Sequence, residues 1–284
     1  MKVIKTNKAL RGKLAFLRSQ GKSIGFVPTM GAFHEGHVSL MRRCVKENDI
    51  TVVSLFVNPL QFGPREDLAR YPRNLKRDIE MASAVNVDFL FVPSLQEIYP
   101  EPLSTFVQVG KIGNILCGAS RPGHFQGVAT VVLKLLNIVQ PCVIYLGQKD
   151  AQQVAVIKRM IFDLNIPVSV VICPTSREAD GLAMSSRNIY LSPTERRDAV
   201  VLNKALRMGA RLIAFGERDG GKIISKIKKL ILEGSSASID YVSIVEISGF
   251  APVRRISKDV LIVIAVKFGT TRLIDNVIVK VHGK

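Results

Sequence analysis

Short apolar runs separated by segments of helical period constrain this chain more than any other feature. The runs fall at 23–28, 49–57, 87–92, 143–146 and 168–172, and the second reads Asp49-Ile50-Thr51-Val52-Val53-Ser54-Leu55-Phe56-Val57. Between them, segments at 37–46, 75–84, 128–139 and 152–164 repeat apolar residues at helical spacing. Strands that are apolar almost throughout must be covered on both faces, which is the situation of a parallel sheet with helices on each side. The pattern predicts an α/β domain over 1–175, a doubly wound, Rossmann-like parallel sheet. After Asp180 the order changes. Ser192-Pro193-Thr194-Glu195 is a capping box with proline at the first helical position, predicting a long helix to about 214. A helix over 222–233 follows a glycine pair, and strand-like runs at 239–247, 260–268 and 273–281 come after it. Helices followed by consecutive strands predict a smaller α+β domain over 176–284, acting as a C-terminal lid, with the boundary in 174–186.

In open parallel sheets ligands bind beyond the carboxyl ends of the strands. The loops after Val27, Val57 and Leu146 should therefore face one crevice, and those loops carry the unusual polar residues. The first reads Pro28-Thr29-Met30-Gly31-Ala32-Phe33-His34-Glu35-Gly36-His37 at a strand-to-helix junction. A helix N-terminus offers unpaired N–H groups and the positive end of a dipole, suited to phosphate. His34 and His37 lie on one side of its first turn, and Gly36 permits close approach. Read alone, His-x-Gly-His is equally a surface turn with two incidental histidines, although the chain has only 4. A zinc pair is disfavoured because no further ligand lies at metal spacing. In the second loop Asn58-Pro59-Leu60-Gln61-Phe62, the amides of Asn58 and Gln61 can read carboxylates and hydroxyls, or simply decorate a proline turn. In Gly147-Gln148-Lys149-Asp150-Ala151-Gln152-Gln153, Lys149 can neutralise phosphate, and Asp150 can bind ribose or cap a helix. Gln153, one turn in, can point back toward an organic substrate. A last segment, Asp180-Gly181-Leu182-Ala183-Met184-Ser185-Ser186-Arg187-Asn188, sets paired hydroxyls beside a guanidinium, a phosphate clamp or a linker of small residues.

Composition narrows the classes of function. The net charge of +17, from 40 basic against 23 acidic residues, suits an anionic partner. Its distribution argues against nucleic acid: basic residues are interspersed, no basic arm exists, and with no Trp and 6% aromatics there is little surface for stacking bases. The scattered cysteines Cys44, Cys117, Cys142 and Cys173 lack metal or disulfide spacing and read as reduced thiols. The first five residues lack the apolar run of a signal peptide, and the longest apolar stretch, 128–146, is interrupted by Lys134, Asn137 and Pro141. These features predict a cytoplasmic location and no membrane partner.

The first and last polar segments together resemble the HIGH and KMSKS signatures of the class I adenylate-forming nucleotidyltransferases. With PTMGAFHEGH, NPLQFGPREDLARYPR, RPGHFQGVATVVLKL, GQKDAQQ and DGLAMSSRN taken in order, the chain resembles the pantoate–β-alanine ligase family. The resemblance implies an AMP-forming ligase of coenzyme A biosynthesis: ATP and pantoate give pantoyl-adenylate and pyrophosphate, and β-alanine then displaces AMP to form pantothenate. It implies an ATP site of Met30, Gly31, His34, Gly36, His37, Gly147, Gln148, Lys149, Asp150, Ser176, Met184, Ser185, Ser186 and Arg187. Among these His34, His37, Lys149, Ser185, Ser186 and Arg187 carry the catalytic role of quenching phosphate charge. Gln61 and Gln153 are implied to bind pantoate, with Gln61 also near β-alanine, Asn58 alongside and His124 in the pocket. Asp78 is implied to meet the Mg²⁺ that accompanies ATP, and the family implies a homodimer. Phe33 and Ser176 depart from the family pattern, Ser176 standing where a valine near adenine is usual. The competing readings are another HIGH-type enzyme, such as a tRNA synthetase fragment or a nucleotidylyltransferase, and a basic nucleic-acid-binding protein.

Overall fold

The computed structural model describes residues 1–64 and 66–281. It divides into two compact units, Met1–Gly147 with Val156–Pro174, and Gln148–Ala155 with Thr175 onward. The first unit holds six strands: β1 (Lys2–Ile4), β2 (Ile24–Thr29), β3 (Ile50–Leu55), β4 (Phe89–Phe91), β5 (Val143–Gly147) and β6 (Ser169–Cys173). All neighbours are parallel, in the order β1-β4-β3-β2-β5-β6. Strand order therefore reverses between β2 and β5, which share the pairing Phe26↔Ile144. At such a reversal the loops leaving adjacent strands diverge and leave a crevice at the carboxyl edge.

The apolar strands are buried on both faces, as their composition requires. On one face Val27, Val53, Leu90 and Tyr145 pack with Met41 and Cys44 of helix Glu35–Glu47 and Ala82 of helix Leu75–Ser83. Phe26, Val52 and Ile144 alternate to the opposite face and are fully buried there, where helix His124–Val139 meets β2. That helix is joined to helix Asn7–Ser19 by Arg18 Nη1, which donates to Val139 O at 3.0 Å. Cys44, Cys117 and Cys173 are buried and Cys142 is exposed, and none forms a disulfide. Burial pushes the Cys44 thiol up to about 12.

The second unit contains helices Pro193–Asp198, Val201–Ala214 and Gly220–Glu233, and an antiparallel sheet of β7 (Ser238–Glu246), β8 (Val260–Phe268) and β9 (Thr271–Val279) in that order. Leu202, Leu206, Ile213, Ile223, Ile227, Ile231, Ile262 and Phe268 form its core. Among the described residues no helix is long and apolar enough to cross a membrane.

The structure departs from the sequence expectation at several places. The helix foreseen from Ser192 to about 214 is broken at Ala199-Val200, where Val200 N and Leu202 N reach back only three residues, to Arg197 O and Ala199 O. Its capping box is present: Ser192 Oγ accepts from Glu195 N and Glu195 Oε2 accepts from Ser192 N. The helix foreseen from 128 begins at His124. β1 and helix Asn7–Ser19 were not foreseen, because a three-residue edge strand and a helix burying only Leu10 and Leu14 leave little apolar pattern. Residues 148–155, read as part of the first domain, group with the second unit. The reason is a polar knot around Asn276, described below.

Two glycines give opposite predictions. A β-carbon on Gly25 of β2 would lie 2.4 Å from Cys44 Sγ and 2.5 Å from Asn48 Nδ2, both on or ending the helix that carries the histidines. Gly12 lies exposed inside helix Asn7–Ser19 with nothing near its missing side chain. Gly25→Ala should lower stability by about 1–3 kcal/mol through overpacking. Gly12→Ala should raise it by about 0.5–1 kcal/mol. Urea unfolding midpoints of the two variants moving in the same direction would contradict this packing.

Candidate active site

In the first unit the site is built from turns that leave the carboxyl edge of the sheet. Thr29, the last residue of β2, ties the strand to its neighbour: its Oγ1 donates to Ser54 O at 2.6 Å and accepts from Gly31 N. The chain then passes through two successive left-handed residues, Gly31 (φ 86°) and Ala32 (φ 53°). A side chain at Gly31 would press on Asp78 Oδ2 and Leu55 at 3.0 Å, so the turn needs glycine. This conformation turns two consecutive amides toward one carboxylate. Asp78 Oδ1 accepts from Phe33 N at 2.7 Å and Oδ2 from Ala32 N at 3.0 Å. Asp78 is only 2% exposed. Burial raises its pKa, with the two amides pulling the other way.

Fixing Phe33 sets His34 as the cap of helix Glu35–Glu47. Its Nδ1 accepts from Gly36 N at 3.1 Å, and its own backbone N donates to His37 Nδ1 at 3.3 Å. The two rings lie 4.1 Å apart, centroid to centroid. Because both Nδ1 atoms accept backbone protons, each neutral ring carries its proton on Nε2. The sequence thus sets two like donors side by side at a helix N-terminus, where anions are favoured.

The second turn follows β3. Asn58, 1% exposed, spends its amide on the protein: Nδ2 donates to Gln61 Oε1 at 3.2 Å and Gly127 O at 3.1 Å, while Oδ1 accepts from Tyr99 Oη and Leu60 N. Burial raises the Tyr99 pKa, which keeps its hydroxyl a donor. Helix His124–Val139 approaches so closely that a β-carbon on Gly127 would lie 2.3 Å from Leu60 O. His124, at its start, donates from Nδ1 to Gln61 O at 2.8 Å, and its Nε2 faces Arg121 Nη1 at 3.1 Å. Arg121 forks onto Glu66 (2.5 and 2.7 Å) and also donates to Gln61 O. Gln61, so held, donates from Nε2 to Met30 Sδ at 2.9 Å, joining the turns after β2 and β3.

Apart from Gly147, the last residue of β5, the second unit carries the remaining candidates. Gln148–Asp150 form a 3-10 turn leading into helix Ala151–Asp163, whose first turn bears Gln153. Ser176 O accepts from Met184 N, and Arg177 pairs with Ala183 as an antiparallel bridge. Ser185 caps the 3-10 turn Ser186–Tyr190, its Oγ accepting from Arg187 N at 3.3 Å, and Asn188 Nδ2 donates to Ala183 O. The Ser185 hydroxyl thus keeps its proton to give. Gly147, Lys149, Asp150, Ser185, Ser186 and Arg187 are all half-buried.

The structure thus changes the reading of three residues. Asp78, foreseen at Mg²⁺, has both oxygens on backbone amides. Asn58, foreseen at pantoate, has its amide committed to Gln61, Leu60, Gly127 and Tyr99, and His124, also foreseen there, has its ring committed to Gln61 and Arg121. Tyr99, Arg121, Gly127, Arg177, Asp275 and Asn276 were not singled out, and each acts by holding backbone or another side chain. The one visible signal was at Asp275-Asn276, a polar pair inside an apolar strand.

Similarity to known proteins runs over nearly the whole chain. A family model described as pantoate-beta-alanine ligase matches residues 2–278. The pantothenate synthetase of Caldicellulosiruptor saccharolyticus is 55% identical over 265 residues, 93% of this chain and 94% of that protein. The crystal structure of pantothenate synthetase from Thermus thermophilus superposes with a TM-score of 0.93 at 44% identity, covering 98% of this chain and 99% of that one. Pantoate-beta-alanine ligase from Francisella tularensis, crystallised with beta-gamma ATP and beta-alanine, superposes with a TM-score of 0.81 at 38% identity over 98% of this chain and 97% of that one. With nearly its whole length matched and its signature turns built as described, the chain belongs to the pantoate-beta-alanine ligase family.

Proposed function

We propose that this chain joins pantoate to β-alanine at the expense of ATP, through a pantoyl-adenylate. The observation that carries this reading is the paired Nε2–H imidazoles at a helix N-terminus, in a chain matched to its family from residue 2 to 278. The pantoate carboxylate is itself the nucleophile. It attacks the α-phosphorus, the bond to the β-phosphate oxygen breaks, and pyrophosphate leaves with the electron pair. The amine of β-alanine then attacks the acyl carbon, AMP departs, and the nitrogen sheds its proton.

The first step sets one anion against a polyanion, so its barrier is largely repulsion and charge on the departing pyrophosphate. His34 and His37 donate from Nε2, Lys149 and Arg187 supply positive charge, and Ser185 and Ser186 supply hydroxyl donors. Asp150 takes ribose hydroxyls. Met30, Gly31, Gly36, Gly147, Gln148, Ser176 and Met184 shape the nucleotide's surroundings. Gln61 and Gln153 take pantoate, Gln61 by exchanging its weak bond to the Met30 sulfur for the substrate, whereas Asn58 and His124 hold Gln61 in place. Both Asp78 oxygens already accept from backbone amides, so in this reading Mg²⁺ enters with the ATP phosphates, and no step is assigned to it. The second step rests on proximity: the acyl group is already activated, and the amine needs only to be held against it. A homodimer in the cytoplasm is part of the same reading.

Two experiments test it. AMP release should require ATP, pantoate and β-alanine together; AMP formation with amino acids in place of pantoate, or none at all, would sink the reading. Lys149→Ala should lower kcat about 10²–10³-fold with unchanged circular dichroism, and Gln61→Ala should chiefly raise the pantoate KM. Full activity of the first, or an unchanged pantoate KM in the second, would remove the role assigned to that residue.

A further inference from the structure

From Leu273 to Val279 strand β9 is apolar except at its centre, where Asp275 and Asn276 follow one another and are 3% and 5% exposed. Neighbours in a strand point to opposite faces, so each is buried in its own surroundings. Two adjacent buried polar residues in an edge strand weaken packing unless their bonds are satisfied, and here they are. Asn276 Nδ2 donates to Gln148 O at 3.0 Å and Lys149 O at 2.9 Å, and its Oδ1 accepts from Gln148 Nε2 at 3.0 Å. Asp275 takes both arms of Arg177, at 2.7 and 3.0 Å, and Arg177 Nη1 also donates to Gly181 O at 3.1 Å. Asp275 Oδ1 further accepts from Asn276 N.

We propose that the Asp275-Asn276 pair is the positioning element for adenylation: one strand segment holds the turn bearing Lys149 and, through Arg177, the segment leading to Ser185, Ser186 and Arg187. Neither residue touches substrate. Asn276 grips the backbone on both sides of the Gln148–Lys149 peptide, which sets where the Lys149 side chain starts. Arg177 fixes the turn at Gly181, four residues before Ser185. The same knot explains why residues 148–155 belong with the second unit rather than with the sheet from which they emerge. The two clusters that bear the added positive charge therefore keep one spacing, set by adjacent residues of β9. A small misplacement of a positioned group costs up to about 10²-fold in rate, so the effect should be large for residues remote from the chemistry.

This inference rests on the adenylation reading, and its test separates the two. In a sequence with a released pyrophosphate between steps, kcat/KM for ATP reports the first half and kcat/KM for β-alanine the second. Asn276→Leu, which keeps the branched shape and removes all three bonds, should lower kcat/KM for ATP at least about tenfold and leave that for β-alanine within about twofold. Arg177→Lys, one-quarter exposed at its side chain, keeps the charge without the fork and should shift the same ratio in the same sense; it carries the test if Asn276→Leu does not fold. Equal falls in both ratios would mean only fewer active molecules, and unchanged ratios would mean no positioning; either overturns the proposal. If the native enzyme releases no pantoate-dependent AMP, the adenylation reading fails by itself. The tie is then read from amide hydrogen exchange of the peptides around 147–153 and 181–187, which should speed together in Asn276→Leu, and independent behaviour of the two peptides overturns it.

Discussion

Backbone at the carboxyl ends of buried parallel strands has lost its ladder and still needs hydrogen-bond partners. No further strand is available there. Each buried amide or carbonyl left alone costs roughly 1–3 kcal/mol, so side chains must take the place of the ladder. Asp78 does so for Ala32 and Phe33, the two imidazoles for the helix start at His34, and His124 with Arg121 for Gln61. Asn58 does so for Leu60 and Gly127, and in the second unit Asn276 for Gln148 and Lys149. Without these struts the turns have no fixed shape, and the side chains they carry have no fixed direction.

This constraint divides the polar residues by work. Buried carboxylates and amides with every atom engaged support the backbone. Half-buried groups on the same turns, such as Lys149, Ser186 and Arg187, carry the chemistry proposed here. The histidine pair does both. Its Nδ1 atoms satisfy the backbone, which fixes the tautomer that leaves Nε2–H as donor on each ring. A single feature of local folding thus sets the electrostatic character of the first turn, and no separate orienting carboxylate is required. Gln61 is similar, since Asn58 and the Met30 sulfur fix its amide from both ends.

The sheet was legible because β2, β3 and β5 are apolar almost throughout, and their termini located the turns. The histidine turn was visible because histidine is scarce in the chain, and the Gly147–Gln153 turn because polar residues cluster at a strand end. What could not be read was which polar residue supports and which acts. Asp78 and His124 are ordinary members of amphipathic segments until Phe33 N and Gln61 O are found beside them. Nor does the spacing of one residue tell that Asn276 meets Gln148, since these partners are separated by over a hundred positions and meet only once β9 is formed. The break at Ala199-Val200 is illegible in the sequence for a different reason: neither residue is a helix breaker, and only the three-residue hydrogen bonds around them mark the tightened turn.

The claim that side chains replace the missing ladder is tested most directly on the imidazoles by nitrogen-15 NMR of the ring atoms, recorded where the rings are neutral. The structure requires bare Nδ1 and protonated Nε2 in both His34 and His37, and the opposite tautomer, with Nδ1 protonated, in His124. A protonated Nδ1 on His34 or His37 would mean that the helix start is not capped as described, and the account of the site would fail with it.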